Sequence, residues 1–231
     1  MIEIIGDTHA DINKLLSALQ GLCENDYLIV AGDFGFVFRN DKKEELVLDA
    51  LEKMKVNILF VDGNHENFDA LNTYPIVIWN GGKTHEIRNN IHHLMRGQIF
   101  SIDGKRVFTF GGAFSEDINQ RIKGRTWWPE ELPSESEYEE AQTNLKNNGM
   151  KVDIVITHQL PGRLQKEAGQ HKDYSETMRE ENKLLQFFDW LLDGVEYKKW
   201  LCGHLHIDKT LSRSVQVLYM GKCLIGSSCK L

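Results

Sequence analysis

The sequence predicts a single α/β domain over residues 1–231, and three observations predict it. The first 65 residues alternate short apolar runs with stretches of helical periodicity. The middle of the chain breaks into brief apolar runs separated by Gly and Asn. Five apolar runs, spread from the N-terminus to residue 202, lead into Asp, Asn or His.

Taken in order, Ile2–Ile5 reads as a buried strand that stops at Gly6-Asp7. Residues 11–19 place Ile12, Leu15, Leu16 and Leu19 at helical spacing. A second strand over 27–31 ends at Gly32-Asp33, and residues 42–54 are helical again through Leu46, Val47, Ala50, Leu51 and Met54. A third strand over 57–61 leads into Asp62-Gly63-Asn64-His65. This alternation implies right-handed crossovers and a parallel sheet. The runs at 76–79, 84–87, 92–95, 98–102 and 106–110 are predicted to meander as antiparallel strands. Residues 112–133 follow no period and are rich in Arg and Trp. Residues 134–147 read as an exposed acidic helix, with Ser134 as N-cap and Glu137 completing a capping box. A strand over 152–157 ends at His158, and a helix is predicted over 176–192. A strand over 200–202 leads into Gly203-His204-Leu205-His206, and 210–211 with 215–220 close as a hairpin or edge pair. The scarcity of proline, 4 in all, leaves no stiff linker to divide the chain.

The charges sum to −7, which argues against coating of long nucleic acid and against an anionic membrane surface. No apolar run approaches the roughly 18–20 residues of a membrane span, and the first residues lack a basic region, so a soluble cytoplasmic protein is expected. The four cysteines show no CxxC spacing and are expected to stay reduced, with Cys202 a small buried hydrophobe.

In a parallel α/β sheet the carboxyl ends of the strands share one edge, where ligands bind. Asp7, His9, Asp33, Asn64, His65, His158, His204 and His206 should therefore converge although they span 200 positions. Asp7-x-His9 and His204-x-His206 are i, i+2 pairs, which point the same way from extended chain. Two Asp, four His and one Asn supply donors for two divalent ions, and mixed O/N ligation suits Mn, Fe, Zn or Ni better than Ca. His85, His92, His93 and His171 belong to no motif and read as surface or core residues, and Asp62 and Glu66 as turn or outer groups.

The ordered blocks Gly6-Asp7-Thr8-His9, Gly32-Asp33, Gly63-Asn64-His65-Glu66, Thr157-His158 and Gly203-His204-Leu205-His206 resemble the calcineurin-like metallophosphoesterase superfamily. The resemblance implies a four-layer α/β/β/α sandwich of two mixed sheets flanked by helices. It implies one metal on Asp7, His9 and His206, a second on Asn64, His158 and His204, and Asp33 bridging them. It further implies hydrolysis of a phosphomonoester or phosphodiester by a metal-bridging hydroxide, with His65 as general acid. The second block continues Phe34-Gly35-Phe36-Val37-Phe38 and so lacks the further Asp and Arg of the protein-phosphatase branch. Arg39, Arg121, Arg125 and Arg163 are the cationic candidates for holding phosphate. Residues 112–133 have two readings. Trp127 and Trp128 pin a loop to the body, or the segment is a lid whose Arg meets phosphate and whose Trp127 stacks on a flat group. The expected partner is a phosphate ester, nucleotide-like molecules included, with oligomeric state open. A non-catalytic scaffold of the same fold, or a nuclease acting on short nucleic acid, are the competing readings.

Overall fold

Two mixed β-sheets lie face to face between two layers of helix in the computed structural model, which describes residues 1–170 and 179–226. The first sheet starts with β1 (Ile2–Ile5), β2 (Tyr27–Val30) and β3 (Asn57–Phe60), all parallel. Their crossovers carry α1 (Ile12–Leu19) and α2 (Lys42–Glu52). Each helix begins at an aspartate, Asp11 or Asp41, whose carboxylate accepts two N–H groups of the first turn. A single turn, α3 (Phe68–Leu71), precedes β4 (Ile76–Trp79), β5 (Gly82–Arg88) and β6 (Ile91–Leu94). These three form an antiparallel meander, and β6 also runs parallel to β3.

The chain then changes sheets. β7 (Gln98–Ile102) and β8 (Lys105–Phe110) form a hairpin in the second sheet, where β9 (Ile154–Thr157) lies parallel to β8. The expected single meander is thus divided between two sheets. Short alternating runs carry no mark of which sheet they join, and here β6 and β8 each extend a different parallel set. Between β8 and β9 runs α4 (Glu135–Asn147), with the expected capping box closed by Ser134 and Glu137. After β9 come the short α5 (Gln165–Ala168) and then α6 (Arg179–Gly194), which carries the predicted helix two residues further and whose predicted start at 176–178 lies outside the described residues. β10 (Lys199–Cys202) lies parallel to β9.

The expected closing pair is β11 (Lys209–Thr210) against β12 (Val215–Val217), with β12 also parallel to β10. The strand ends at Val217 because the Asp208 carboxylate takes the N–H groups of Tyr219, Met220 and Gly221. The chain then returns to the first sheet as β13 (Lys222–Ile225), antiparallel to β1 and missed in the sequence reading.

Period-two alternation builds the layers. On β2, Leu28 and Val30 face Leu15, Leu19, Leu48 and Leu51 of the helices, while Ile29, and Ala31 just past the strand, face the second sheet. On β9, Ile154 and Ile156 face inward and Val155 packs with Tyr138, Leu145 and Phe188 of α4 and α6. The result is the expected four-layer sandwich, with Leu59, Phe100 and Val107 filling the gap between sheets. Replacing Leu59 by Ala should cost about 2–5 kcal/mol in a urea titration. Ser134→Ala, at the exposed cap of α4, should cost about 1 kcal/mol. Equal costs would show that the inter-sheet layer closes around the gap.

Candidate metal centre at the strand ends

The loops after β1, β2 and β3 meet the loops after β9 and β10 at one edge of the sandwich. Thr8 and His9 N–H groups both reach the Asp33 carbonyl, at 3.0 and 2.8 Å, which ties the first two loops together. Close approach explains the glycines. A Cβ on Gly63 would lie 2.0 Å from Asp33 Oδ1, and one on Gly203 would lie 2.1 Å from Asp7 Oδ1. His9, Asp33, His204 and His206 all have positive φ, between 46° and 67°. Such left-handed residues cost of order 1–3 kcal/mol when they are not glycine, and they persist only where the surroundings hold them.

The seven expected ligands come together in two adjoining groups. Asp7 Oδ2 lies 3.0 Å from His206 Nε2 and 3.8 Å from His9 Nε2, and those two nitrogens are 3.0 Å apart. Asn64 Oδ1 lies 3.1 Å from His158 Nε2 and 3.0 Å from His204 Nδ1. Asp33 Oδ2 stands between the groups, 3.6 Å from His9 Nε2 and 3.5 Å from His158 Nε2. Each aspartate is fixed through its other oxygen: His204 N donates to Asp7 Oδ1 at 2.9 Å, and His65 N to Asp33 Oδ1 at 2.8 Å. His158 Nδ1 sits 2.8 Å from the Ala31 carbonyl, which turns Nε2 inward. Asp7, Asp33, Asn64 and His158 are buried, while His9 and His206 are exposed and mark the mouth.

The electrostatics suit a cation. Burial would raise Asp33 and Asp7, yet the neighbouring imidazoles, His158 on both and His206 on Asp7, hold both below the usual carboxylate range. Burial would lower His158, but Asp33 and Asp7 raise it to about 10. His204, by contrast, is pushed down to about 3 by burial and by His158. The His158 and His206 imidazoles therefore supply the counter-charge for two buried carboxylates, a role that a divalent ion fills better. Asp7 Oδ2 is buried and has the His206 imidazole, at 3.0 Å, as its near neighbour, so its remaining lone pair is free to face a cation. The residues fit oxygen-and-nitrogen ligation of divalent metal.

Other sequence candidates separate clearly. Arg121 Nη2 lies 3.2 Å from His65 Nε2 and is steadied by Asp117 and by the Thr126 carbonyl. Trp127 is half-buried and lines a cavity of about 620 Å³ with Phe68, Phe114, Trp128, His85 and Arg96. Trp128 is buried and its indole N–H donates to Asp69 at 2.8 Å, so this ring does pin the segment. Arg39 and Arg125 are exposed and touch none of the eight clustered residues. Arg163 is paired with Asp189 and Asp193 instead. His85, His92 and His93 are buried, and His171 lies outside the described residues. Asp62 pairs with Arg96 and His93, and Glu66 accepts from Phe34 N, both in outer positions as expected. Cys202 is fully buried.

Three neighbours escaped the sequence reading. Tyr219 stacks on His206 with centroids 4.5 Å apart, Lys14 lies 4.1 Å over the Tyr219 ring, and Ser115 bonds to Asn64. A lone Lys in a helical pattern, or a Tyr in a closing turn, carries no sequence signal of such a place.

The sequence profile of the calcineurin-like phosphoesterase family matches residues 2–208. The crystal structure of a phosphopantetheinyl hydrolase from Mycobacterium tuberculosis is similar in fold, with a TM-score of 0.50 and 16% sequence identity. That match covers 94% of this chain and 87% of the other. No sequence among the curated proteins matches. Among the described residues, no helix is long and apolar enough to cross a membrane. The match over nearly the whole chain makes it a phosphoric ester hydrolase that belongs to the calcineurin-like phosphoesterase family.

Proposed function

We propose that the protein hydrolyses a small organic phosphate ester at a dinuclear metal centre. In this reading Asp7, His9 and His206 hold one ion, Asn64, His158 and His204 hold the other, and Asp33 is shared. The observation that carries it is the place of Asp33 Oδ2, 3.6 and 3.5 Å from one imidazole of each group. When bound, two such ions acidify water and neutralise phosphoryl oxygens.

The chain's own groups do the rest. Arg121 is the one sequence-predicted cation that reaches the site, and its guanidinium donates to His65 Nε2. Burial and Arg121 together outweigh the pull of Asp33 and lower the His65 pKa. A phosphate oxygen that accepts from the guanidinium would compete with His65 Nε2 for it and free that nitrogen. His65 can then hold a proton and give it to the leaving oxygen. Trp127, six residues beyond Arg121 in the same segment, offers a ring to the organic part of the ester, although the cavity of about 620 Å³ that it lines has none of the eight clustered residues in its wall. The buried ligands and the segment over the site favour a small ester over a protein or a long nucleic acid. A nucleotide is within this class. The complete set of eight residues favours an enzyme over a scaffold.

Protein loaded with Mn²⁺ should hydrolyse an aryl phosphate and lose that activity on chelation. His65→Ala should lower kcat by about 10²- to 10⁴-fold, and Asp33→Ala should leave no metal-dependent rate. Wild-type turnover in both variants would end the assignment. Arg121→Ala should raise KM about 10- to 100-fold, as expected for loss of a charged hydrogen bond. An unchanged KM would remove Arg121 from the phosphate. Trp127→Ala should weaken an aryl phosphate but leave methyl phosphate unaffected, and steady-state kinetics on the pair of esters checks this.

A further inference from the structure

Asn64 differs from the other proposed ligands because its side chain has two unlike ends. The amide oxygen can face a cation, whereas the NH₂ group repels one. A half-turn about the last bond exchanges them at little steric cost, so something must choose the orientation. The structure shows a short chain of hydrogen bonds that does so. Asn64 Nδ2 donates to Ser115 Oγ at 3.0 Å, and Ser115 Oγ donates to Glu131 Oε2 at 2.6 Å. All three residues are buried, with 4%, 2% and 3% of their surfaces exposed. A hydroxyl has one proton. With that proton directed at Glu131 Oε2, Ser115 Oγ can only accept from Asn64, and only the NH₂ end can give.

Glu131 is itself held. Its second carboxylate oxygen accepts from Trp128 N at 3.3 Å. Its backbone carbonyl accepts from Ala113 N at 3.2 Å, and Arg96 donates to the adjoining Glu130 carbonyl at 2.7 Å. The Trp128 indole anchors the same turn to Asp69. Both ends of the 112–133 segment are thus fastened to the body next to Asn64.

We propose that Ser115, held by Glu131, is a positioning residue that keeps the Asn64 amide oxygen turned toward His158 and His204. The segment over the site is then part of the metal centre's outer support as well as a wall for substrate. This rests on the dinuclear reading above.

Calorimetric titration of the metal-free protein with Mn²⁺ tests both and tells them apart. Wild-type protein should bind two ions. Ser115→Ala should weaken one of them by about 10- to 100-fold, the usual effect of removing an outer partner, and leave the other at wild-type affinity. In an Asn64→Asp background, where either carboxylate oxygen can ligate, Ser115→Ala should change neither affinity by more than about threefold. Unchanged binding in Ser115→Ala overturns the positioning role while leaving the dinuclear centre standing. Equal weakening of both ions, or the same loss in the Asn64→Asp background, shows a merely structural serine and also overturns it. Wild-type protein that binds no Mn²⁺ overturns the dinuclear reading and this role together.

Discussion

The arrangement of the strand-end loops depends on the burial of the Asp33 carboxylate where the two sheets converge. A buried anion is tolerated only when paired and hydrogen-bonded. Asp33 meets this demand on both oxygens, one accepting from His65 N and the other facing His9 and His158. Its charge, with that of Asp7, holds His158 as an imidazolium. The same constraint shapes the backbone. Gly63 gives up its side chain to make room for Asp33, as Gly203 does for Asp7. Four of the clustered residues accept left-handed backbone to aim their side chains back over the strand ends.

The sandwich supplies the rigidity that this arrangement needs. β1, β2 and β3 are parallel and buried on both faces, so their ends stay in register with one another. β9 and β10 do the same in the second sheet. The short loops that follow these strands, which carry the clustered residues, are thereby held in place relative to one another. Such a centre is preorganised, which is what electrostatic catalysis of phosphoryl transfer requires.

The irregular segment at 112–133 links the proposed substrate side of the centre to its metal side. Its tip brings Arg121 to His65, and its base brings Ser115 and Glu131 to Asn64. Its base is tied by Arg96, which also pairs with Asp62 two residues before Asn64. The Arg121 contact with His65 and the Ser115 contact with Asn64 therefore belong to one element.

The sequence by itself determined the fold class, the parallel start, the capped acidic helix and the eight clustered residues. Each rests on a local rule: two-residue or helical periodicity, a capping box, or polar residues placed where a strand must end. It could not divide the middle strands between sheets, because nothing local in these short runs marks that β6 lies beside the distant β3 while β7 pairs within its hairpin with β8. It missed β13, a four-residue strand whose one fully useful core residue, Cys223, gives too little pattern to notice. Nor could it choose Arg121 over Arg39, Arg125 and Arg163. An arginine in a loop looks the same whether it reaches an imidazole, an aspartate pair or solvent. That choice, like the Ser115 contact with Asn64 across 51 residues, was made by tertiary structure, since only folding decides which loop lies over which strand end.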